Sequence, residues 1–338
     1  MPESSPVLVA DIGGTNARFA LTNISTSGAP VLEQVRRYKA ADFPSFSDAL
    51  IQYHKETAHI SARPRQAVFA VATAVLGDQI KLTNSPWAFS IEEIRRAFAL
   101  ESLALINDFQ AVGHAIRHLT PDKLAPIGPA IPWAKADHRV DRTCAVLGPG
   151  TGLGVCLFAV REGRSLVLPS EAGHIGFAPY DPLEIEVLRV LQARHGRVSN
   201  ERLVSGPGLA ALHDALCQIE GLSPPGLSPE AITAAAASDP EGAEARTLRL
   251  FCSIYGAIAG DMVMAFGAWD GALLVGKLSN LLLPALREGG FRQRFEDKGR
   301  FAATLRSVPT TVVTEVMVGL MGAAAFAARA LGNRKENG

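Results

Sequence analysis

The alternation of apolar and polar segments predicts a chain in which strands and helices follow one another. Short apolar runs bounded by turn residues indicate buried strands. Strands are predicted at 67–73, 79–84, 102–108, 271–276 and 308–314. Strands separated by helical patterns are typical of an α/β fold.

Helix starts are predicted where a polar capping residue precedes a helical pattern, in two cases with proline close behind it. These capping residues are Ser45, Ser90, Asp181 and Ser205. A long helical pattern covers 241–268. The segment 318–331 (VGLMGAAAFAARAL) predicts a helix of small residues that packs closely.

Two pairs of apolar strands are each joined by a glycine-rich turn. The pair at 7–21 (VLVADIGGTNARFAL) passes through Asp11 and the turn 13–16, and the pair at 143–160 passes through the turn 148–152. Such a turn is either an ordinary hairpin connection or a phosphate-binding turn. In a phosphate-binding turn, backbone N–H groups approach the anion, and a neighbouring acid holds a hydrated cation. Two such turns, about 140 residues apart, could grip one nucleotide between them. The P-loop and dinucleotide-binding patterns are absent from the sequence.

Composition narrows the class of protein. The chain has 338 residues, and Lys plus Arg and Asp plus Glu both total 33, so its net charge is near zero. This balance argues against nucleic acid or an acidic membrane as a partner. With 48 % hydrophobic and 20 % charged residues, the chain is predicted to be a globular protein of two domains.

The four cysteines are widely spaced, which predicts neither a metal site nor a disulfide framework and fits a reducing compartment. They are Cys144, Cys156, Cys217 and Cys252. The first residues lack the basic stretch of an export signal, and no apolar run reaches 18 residues. We therefore expect a cytoplasmic protein. The proline-rich region 120–142 is interpreted as a connection between domains.

Seven segments, in chain order, carry a resemblance to the bacterial glucokinase family. They are VLVADIGGTNARFAL, LTNSPWAF, LINDFQAV, LGPGTGLGV, SEAGHIGFAP, ERLVSGPGL and FEDKGRF, and they extend from about residue 7 to 330. The family consists of ATP-dependent hexose kinases of the actin-like, ribonuclease H-like superfamily. The resemblance implies a two-domain α/β fold with a cleft between a small α/β domain, 1–118 completed by the C-terminal helix 317–338, and a larger α+β domain, 119–316.

The resemblance also implies a role for individual residues. The catalytic base falls on Asp108. The sugar contacts fall on Asn107, Glu171, His174 and Glu201. The nucleotide-binding residues fall on Asp11, Gly13, Gly14, Thr15, Asn16, Gly150, Thr151, Gly152 and Gly276. The substrates are then glucose and ATP, with Mg²⁺ carried by ATP near Asp11 rather than by a metal site of the protein, and the family suggests a homodimer.

These residue types suit the chemistry. Carboxylates, an amide and a neutral imidazole can match the donors and acceptors of sugar hydroxyls, and they reject a sugar whose hydroxyl points elsewhere. Phosphoryl transfer needs a carboxylate to take the proton of the acceptor hydroxyl, and Asp108 follows a predicted strand where open α/β sheets place their ligands.

Each of these residues also has a structural alternative. Asp108 could be only the N-cap of the next helix, His174 a structural histidine, and Glu201 a solvated acid at a helix start. Asn84 and Trp87 could support the sugar pocket or only pack the small domain.

The sequence departs from the family pattern in the nucleotide half. Gly276–Lys277 replaces the usual pair of glycines, and 317–322 (MVGLMG) replaces the usual NPGLLG. The sugar loop changes only slightly, at Ala172 and Gly176. Lys277 would either crowd the nucleotide, because a side chain resists positive φ, or contact a phosphate through its ammonium group; we expect crowding and weaker use of ATP. The alternatives to a glucokinase are a kinase for another hexose or phosphoryl donor, and a sugar-binding sensor with a decayed nucleotide site.

Overall fold

A computed structural model describes residues 6–23, 29–59, 62–82, 85–131 and 140–336, with side chains as far as residue 330. The strands are β1 (Val7–Ile12), β2 (Asn16–Thr22), β3 (Leu32–Lys39), β4 (Gln66–Val71), β5 (Gln79–Lys81), β6 (Ala88–Ser90), β7 (Ser102–Asn107), β8 (Leu124–Pro126), β9 (Arg142–Pro149), β10 (Leu153–Arg161), β11 (Arg164–Ser170), β12 (Ala272–Leu274) and β13 (Thr310–Val313).

The α-helices are α1 (Phe46–Thr57), α2 (Ile91–Ala97), α3 (Asp108–Ala115), α4 (Pro182–His195), α5 (Gly206–Ile219), α6 (Pro229–Ser238), α7 (Ala243–Phe266), α8 (Lys277–Leu281), α9 (Leu283–Arg287), α10 (Gly290–Glu296), α11 (Ala302–Ser307) and α12 (Val318–Glu336).

The chain divides into two compact units. Unit 1 comprises Met1–Leu119 and Met317–Gly338, and unit 2 comprises Thr120–Val316. Both ends of the chain thus lie in unit 1. That the units are the two predicted functional domains stays a prediction.

Unit 1 is built on a five-stranded sheet with the order β3-β2-β1-β4-β7. The three strands β1, β4 and β7 are parallel, and their last residues, Ile12, Val71 and Asn107, lie side by side. The segments that follow these strands therefore leave the sheet at one edge. This edge is where open α/β sheets bind ligands.

Both faces of this sheet are covered, as the four consecutive buried apolar residues at the start of β1, 7–10, require. Leu8 and Ile12 pack with α1 in one cluster, while Val7 and Val9 pack with α3 and α12 in another. Alternate residues of a strand point to opposite faces, so one short strand contributes to two cores. The predicted small-residue helix is α12.

Unit 2 is built on a six-stranded sheet with the order β11-β10-β9-β12-β13-β8. Strands β9, β12 and β13 are parallel to one another, whereas the pairs β9–β10, β10–β11 and β13–β8 are antiparallel. Helix α7 is long and apolar enough to cross a membrane by length and composition, but 61 % of its most apolar stretch is buried within the protein. It packs on α10 and is a core helix of this unit.

The four predicted capping residues are confirmed. Ser45, Ser90, Asp181 and Ser205 each accept a hydrogen bond from a backbone N–H of the first turn. The interpretation of 120–142 as a connection is wrong in part, because 124–126 form β8 in the sheet of unit 2. Residues 132–139 lie outside the described residues, as do Thr83 and Asn84 at the end of the strand predicted at 79–84.

Candidate active site

The edge of the unit 1 sheet brings three chain segments together. The turn after β1, the residues after β4 and the start of α3 all follow parallel strands that end in register. Ala72 N–H donates to the carbonyl of Ile12 at 3.0 Å, and Asn107 Nδ2 donates to the carbonyl of Thr73 at 3.5 Å. The structure therefore brings Asp11, the first glycine turn, Asn107 and Asp108 to one sheet edge.

The first glycine turn is tight and has an acid at its base. Gly13 N–H donates to the carbonyl of Asn16 at 2.9 Å, which closes the turn that contains Gly14 and Thr15. Asp11 Oδ2 accepts a hydrogen bond from Arg18 Nη1 at 3.0 Å. Burial raises the pKa of Asp11, and the charge and hydrogen bond of Arg18 act against that rise. Arg18 thus offsets part of the effect of burial on the pKa of this acid beside the turn.

Helix α12 begins against the same carboxylate. A Cβ added to Gly319 would lie 2.9 Å from Asp11 Oδ2, so the absence of a side chain there leaves room for the acid. A negative charge next to the first turn of a 19-residue helix is favourable, because that end carries partial positive charge. The altered segment 317–322 thus keeps a glycine where Asp11 needs one.

Asn107 rather than Asp108 caps α3. Asn107 Oδ1 accepts hydrogen bonds from the N–H groups of Phe109 and Gln110 at 2.9 and 3.2 Å. The alternative in which Asp108 serves only as the N-cap is therefore wrong. Asp108 is the first residue of α3, and its Oδ1 accepts from Phe109 N–H at 2.9 Å. The amide oxygen of Asn107 is committed to the cap, so Nδ2 is the group that it can offer to a ligand.

In unit 2 the structure brings three predicted sugar-binding residues together. The 3₁₀ turn Ala172–His174 follows β11, and the turn Asn200–Arg202 lies beside it. His174 Nε2 lies 3.8 Å from Glu171 Oε2, and His174 Nδ1 lies 4.0 Å from Glu201 Oε1. The side chains of Glu171 and His174 are 68 % and 58 % exposed, so both are open to a ligand.

Glu201 connects this cluster with the second glycine turn. Leu153 N–H donates to Glu201 Oε2 at 2.9 Å, and a Cβ on Gly152 would collide with the same oxygen. Gly150 N–H donates to the carbonyl of Gly152 at 2.7 Å and closes the turn around Thr151. The alternative in which Glu201 is a solvated acid is wrong, because its carboxylate is held by a strand N–H and is only 30 % exposed.

Two long helices begin next to this turn. Gly206, the first residue of α5, donates its N–H to the carbonyl of Gly150 at 2.7 Å. Pro229, the first residue of α6, has its Cγ 3.9 Å from where a Cβ of Gly206 would lie. Helix N-termini carry partial positive charge and favour anions. Their convergence beside 150–152 fits a phosphate site.

Gly276 and Lys277 lie at the start of α8, near the end of β9. Gly276 has φ of 94°, and a Cβ there would lie 3.6 Å from the carbonyl of Pro149. Lys277 is the first residue of α8 and is not among the residues with positive φ. The expectation that Lys277 crowds the nucleotide through positive φ is therefore wrong. Its Nζ instead lies 3.1 Å from Glu230 Oε1 on α6.

The sequence did not reveal three contacts of the site: those of Arg18 and Gly319 with Asp11, and that of the Leu153 N–H with Glu201. Arg18 has a signal in the sequence, because a turn at 13–15 places it opposite Asp11 in a two-stranded ladder, as the register shows. The other two contacts join segments far apart in the chain and have no local signal. Trp87 packs the small unit: it is 1 % exposed and its Nε1 donates to the carbonyl of Phe43.

No group of three or more His, Cys, Asp or Glu side chains among the described residues could hold a metal ion. A magnesium ion bound to a nucleotide needs fewer protein ligands, because phosphates and water fill most of its coordination sphere. Asp11 supplies the carboxylate oxygen that such an ion prefers, beside a turn of backbone N–H groups. The residues present therefore fit Mg²⁺ carried by a nucleotide.

A family model and the related proteins both identify this chain as similar to glucokinases. The glucokinase family model matches residues 8–330. The chain is 46 % identical over 328 residues to a glucokinase of Stenotrophomonas maltophilia (strain K279a), covering 97 % of this chain and 96 % of the relative. It is 47 % identical over 326 residues to a glucokinase of Xanthomonas oryzae pv. oryzae (strain MAFF 311018), covering 96 % and 95 %.

Solved structures that resemble this chain also include glucokinases. The glucokinase of an Antarctic psychrotroph is 36 % identical, with a TM-score of 0.79, and the match covers 96 % of this chain and 98 % of that one. A ROK family glucokinase from Streptomyces griseus, 16 % identical with a TM-score of 0.62, matches 96 % of this chain and all of its own, and shows the fold alone. The actin-like ATPase fold and the family resemblance predicted from the sequence are confirmed. The chain belongs to the glucokinase family.

Proposed function

We propose that the chain transfers the γ-phosphate of ATP to the 6-hydroxyl of glucose, giving glucose 6-phosphate and ADP. The observation that carries the proposal is the position of Glu201. Its carboxylate lies 4.0 Å from His174 and accepts from the strand N–H at 2.9 Å beside Gly152, so a sugar cluster and a phosphate-type turn share one residue. The relatives named glucokinase, at 46–47 % identity, support the same reaction.

The sugar is recognised by groups with fixed hydrogen-bonding directions. Glu171 and Glu201 accept from sugar hydroxyls, while a neutral His174 ring both donates and accepts once. Asn107 Nδ2 adds a donor. A hexose with one hydroxyl inverted would leave one of these groups unpaired, which is how such a site discriminates.

Asp108 acts as the base. The 6-oxygen of glucose attacks the γ-phosphorus, a new O–P bond forms, and the bond from the γ-phosphorus to the bridging oxygen of ADP breaks. The hydroxyl proton passes to the Asp108 carboxylate. Because Asn107 already caps α3, the Asp108 carboxylate is not required for the cap and can take this role.

The nucleotide phosphates are bound by backbone N–H groups and helix ends. In unit 1 this is the turn 13–16, and in unit 2 it is the turn 150–152, flanked by the N-termini of α5 and α6 and by Gly276. Mg²⁺, when bound, neutralises phosphate charge, and Asp11 would hold it. Arg18 keeps that carboxylate oriented at 3.0 Å.

The proposal includes two wider points. We place the enzyme in the cytoplasm, where glucose and ATP meet and where the thiols of the four buried cysteines stay reduced. We also retain the homodimer and the cleft between the two domains as predictions. No role with nucleic acid or membranes is proposed, since the net charge is near zero.

A coupled assay of ADP release, run with glucose, mannose, fructose and no sugar, tests the reaction. ADP release that depends on glucose is expected. Glucose binding without ADP release would favour the sensor, and a preference for another sugar would favour the other-hexose kinase.

The substitution Asp108→Asn tests the base. We expect kcat to fall by about 10²–10⁴, the usual contribution of a positioned base, with glucose affinity in calorimetry retained. Asp42→Asn changes an exposed acid of the same unit and is the control. Near wild-type turnover of the Asp108 variant would remove it from the mechanism.

A further inference from the structure

A cavity of about 460 Å³ lies in unit 1, away from every residue used above. It is formed where the last turns of α1 and α2 meet the segment that leads into β4. Ile51, His54, Lys55, Arg63, Pro64 and Phe98 are among its lining residues. Its volume lies within the range of small-molecule sites, about 300–1,000 Å³.

The cavity lies at the opposite edge of the sheet from Asp108. Pro64 comes just before Gln66, which begins β4 and pairs with Val7 and Ser102 at the starts of β1 and β7. The ligand edge lies at the other end of these six-residue strands, about 20 Å away at about 3.3 Å per residue. An occupant of this cavity would therefore take no part in phosphoryl transfer.

The charged side chains that line the cavity are all positive. Lys55 and Arg63 both line the cavity, and no Asp or Glu is among the lining residues that the structure describes. Arg63 Nη2 donates to the carbonyl of Phe98 at 3.2 Å, which fixes the guanidinium at the rim while its other N–H groups remain to bind an anion.

One wall of the cavity is flat and aromatic. The rings of His54 and Phe98 stack with centroids 5.4 Å apart and 23° between their planes. Burial and the charge of Arg63 lower the pKa of His54, so the ring is neutral at pH 7. Its Nε2 is buried and has no hydrogen-bond partner among the described residues, so the ring contributes apolar surface to this wall rather than a hydrogen bond to a ligand.

We propose that this cavity binds a small organic anion with a flat apolar body, held by its carboxylate or phosphate on Lys55 and Arg63 and by its apolar part against Phe98 and Ile51. Binding to the folded unit alone would stabilise it, because a ligand that binds only the native state shifts the unfolding equilibrium. The site is separate from the catalytic edge, since it lies at the far edge of the sheet that carries Asp108.

Calorimetric titration with four probes tests the proposal: phenyl phosphate, benzoate, the neutral benzyl alcohol and inorganic phosphate. The enzyme is kept saturated with glucose and ADP, so that its phosphate turns are occupied. We expect at least one of the aromatic anions to bind with a Kd of about 1 mM or below, and both benzyl alcohol and inorganic phosphate to bind at least about tenfold more weakly. Comparison of the aromatic anions separates a carboxylate from a phosphate ligand.

The double substitution of Lys55→Gln and Arg63→Gln should weaken the aromatic anions about tenfold or more. The matched control carries Lys81→Gln and Arg96→Gln, which remove two exposed cations of the same unit outside the cavity lining, and should bind like the wild type. Binding that survives the double substitution, equal binding of benzyl alcohol or inorganic phosphate, or no binding of either aromatic anion at about 10 mM would overturn the proposal.

Discussion

At the scale of single residues, the candidate site depends on glycines that make room for carboxylates. Gly152 lies where a Cβ would collide with Glu201, and Gly319 lies where one would crowd Asp11. A side chain at either position would displace the carboxylate that occupies the space, and neither glycine has a positive φ. Glycine is thus favoured at each of these two positions by an acid that is distant in the sequence.

The substitution Gly152→Ala should weaken glucose binding. The added methyl group displaces the Glu201 carboxylate from the Leu153 N–H and from His174, at a cost of about 1–3 kcal/mol for a hydrogen bond to a charged group. Calorimetric titration with glucose measures this loss. Gly176→Ala, two residues after His174, is the control, because a Cβ there would meet nothing within 4 Å. Equal glucose affinity in the two variants would contradict the role assigned to Glu201.

Lys277 is the second residue-scale case. Its ion pair with Glu230 joins side chains that are 84 % and 64 % exposed, and such exposed pairs contribute about 0–1 kcal/mol. The ammonium group can therefore leave Glu230 for a phosphate. Lys277→Ala should raise the KM for ATP about two- to tenfold, while the KM for glucose and the stability stay unchanged.

Steady-state kinetics with both substrates varied measures this effect. The companion substitution Glu230→Gln frees the lysine and should lower the KM for ATP. If Lys277→Ala lowers that KM instead, Lys277 obstructs the nucleotide by its bulk.

At the scale of elements, local signals in the sequence predicted where the capped helices begin. Contacts between segments that are distant in the sequence could not be predicted. Caps such as Ser45 and Asp181 act within one turn of their own helix, so a few neighbouring residues specify them. The partner of Leu153 N–H, Glu201, lies 48 residues away, and only the packed structure defines it.

Sequence motifs were sufficient to identify the residues of the candidate site, but not to predict the geometry of their contacts. Motifs identify which residues follow strand ends, but the roles of neighbouring residues depend on a hydrogen bond or two. Asn107 and Asp108 illustrate this, because the sequence offered Asp108 as an N-cap of α3, whereas Asn107 fills that position in the structure.

Close helix pairs depend on glycine contacts with a facing backbone. Gly322 of α12 has no room for a Cβ because the carbonyl of Ala111 on α3 occupies the space, and Gly256 of α7 faces the carbonyl of Phe291 on α10 in the same way. The small-residue composition of 318–331 predicted such close packing. The partner helix could not be read from it.

The pair formed by α3 and α12 also makes stability depend on pH. His114 of α3 is buried against Phe326 of α12, with ring centroids 5.2 Å apart. Burial first, and then the charges of Arg329 and His118, lower the pKa of His114 to about 4. The unfolded chain protonates this ring near its ordinary pKa of about 6.5. Stability is therefore full above about pH 6.5 and falls as the pH decreases towards 4, by about 3 kcal/mol in total.

Urea unfolding at several pH values between 7.5 and 4.5 measures this dependence. The variant His114→Gln, which cannot titrate, should lose less stability over that range than the wild type. His59→Gln changes an exposed histidine of the same unit and should follow the wild type. Parallel curves for wild type and His114→Gln would show that another group is responsible.

At the scale of the whole molecule, unit 1 is assembled from both ends of the chain, with unit 2 between them in sequence. Helix α12 covers one face of the sheet through four buried residues, Leu320, Ala323, Ala324 and Ala327. They pack with Val7, Val9, Val68 and Ala70. Unit 1 therefore lacks part of its core until residues beyond Val316 are present.

A chain that ends at Val316 should keep unit 2 folded and lose unit 1. The truncation uncovers the apolar side chains of β1 and β4 that α12 packs on, at a cost of about 1.5–3 kcal/mol for each large one, comparable in sum to the stability of a whole domain. Limited proteolysis followed by mass spectrometry should find early cuts within 6–119 and resistance within 140–316, with the full chain as control. Equal resistance of the two regions would show that unit 1 folds without α12.

The same arrangement of the chain affects its biosynthesis. A ribosome makes residues 1–119 first and the segment from Met317 last, so the 197 residues of unit 2 are translated in between. At about 5–20 residues per second, that interval lasts roughly 10–40 s. During this time the nascent strands β1 and β4 have no α12 to cover them, and they present exposed apolar surface of the kind that chaperones bind. Unit 2 is continuous in sequence, so all of its residues have been translated before the segment that forms α12.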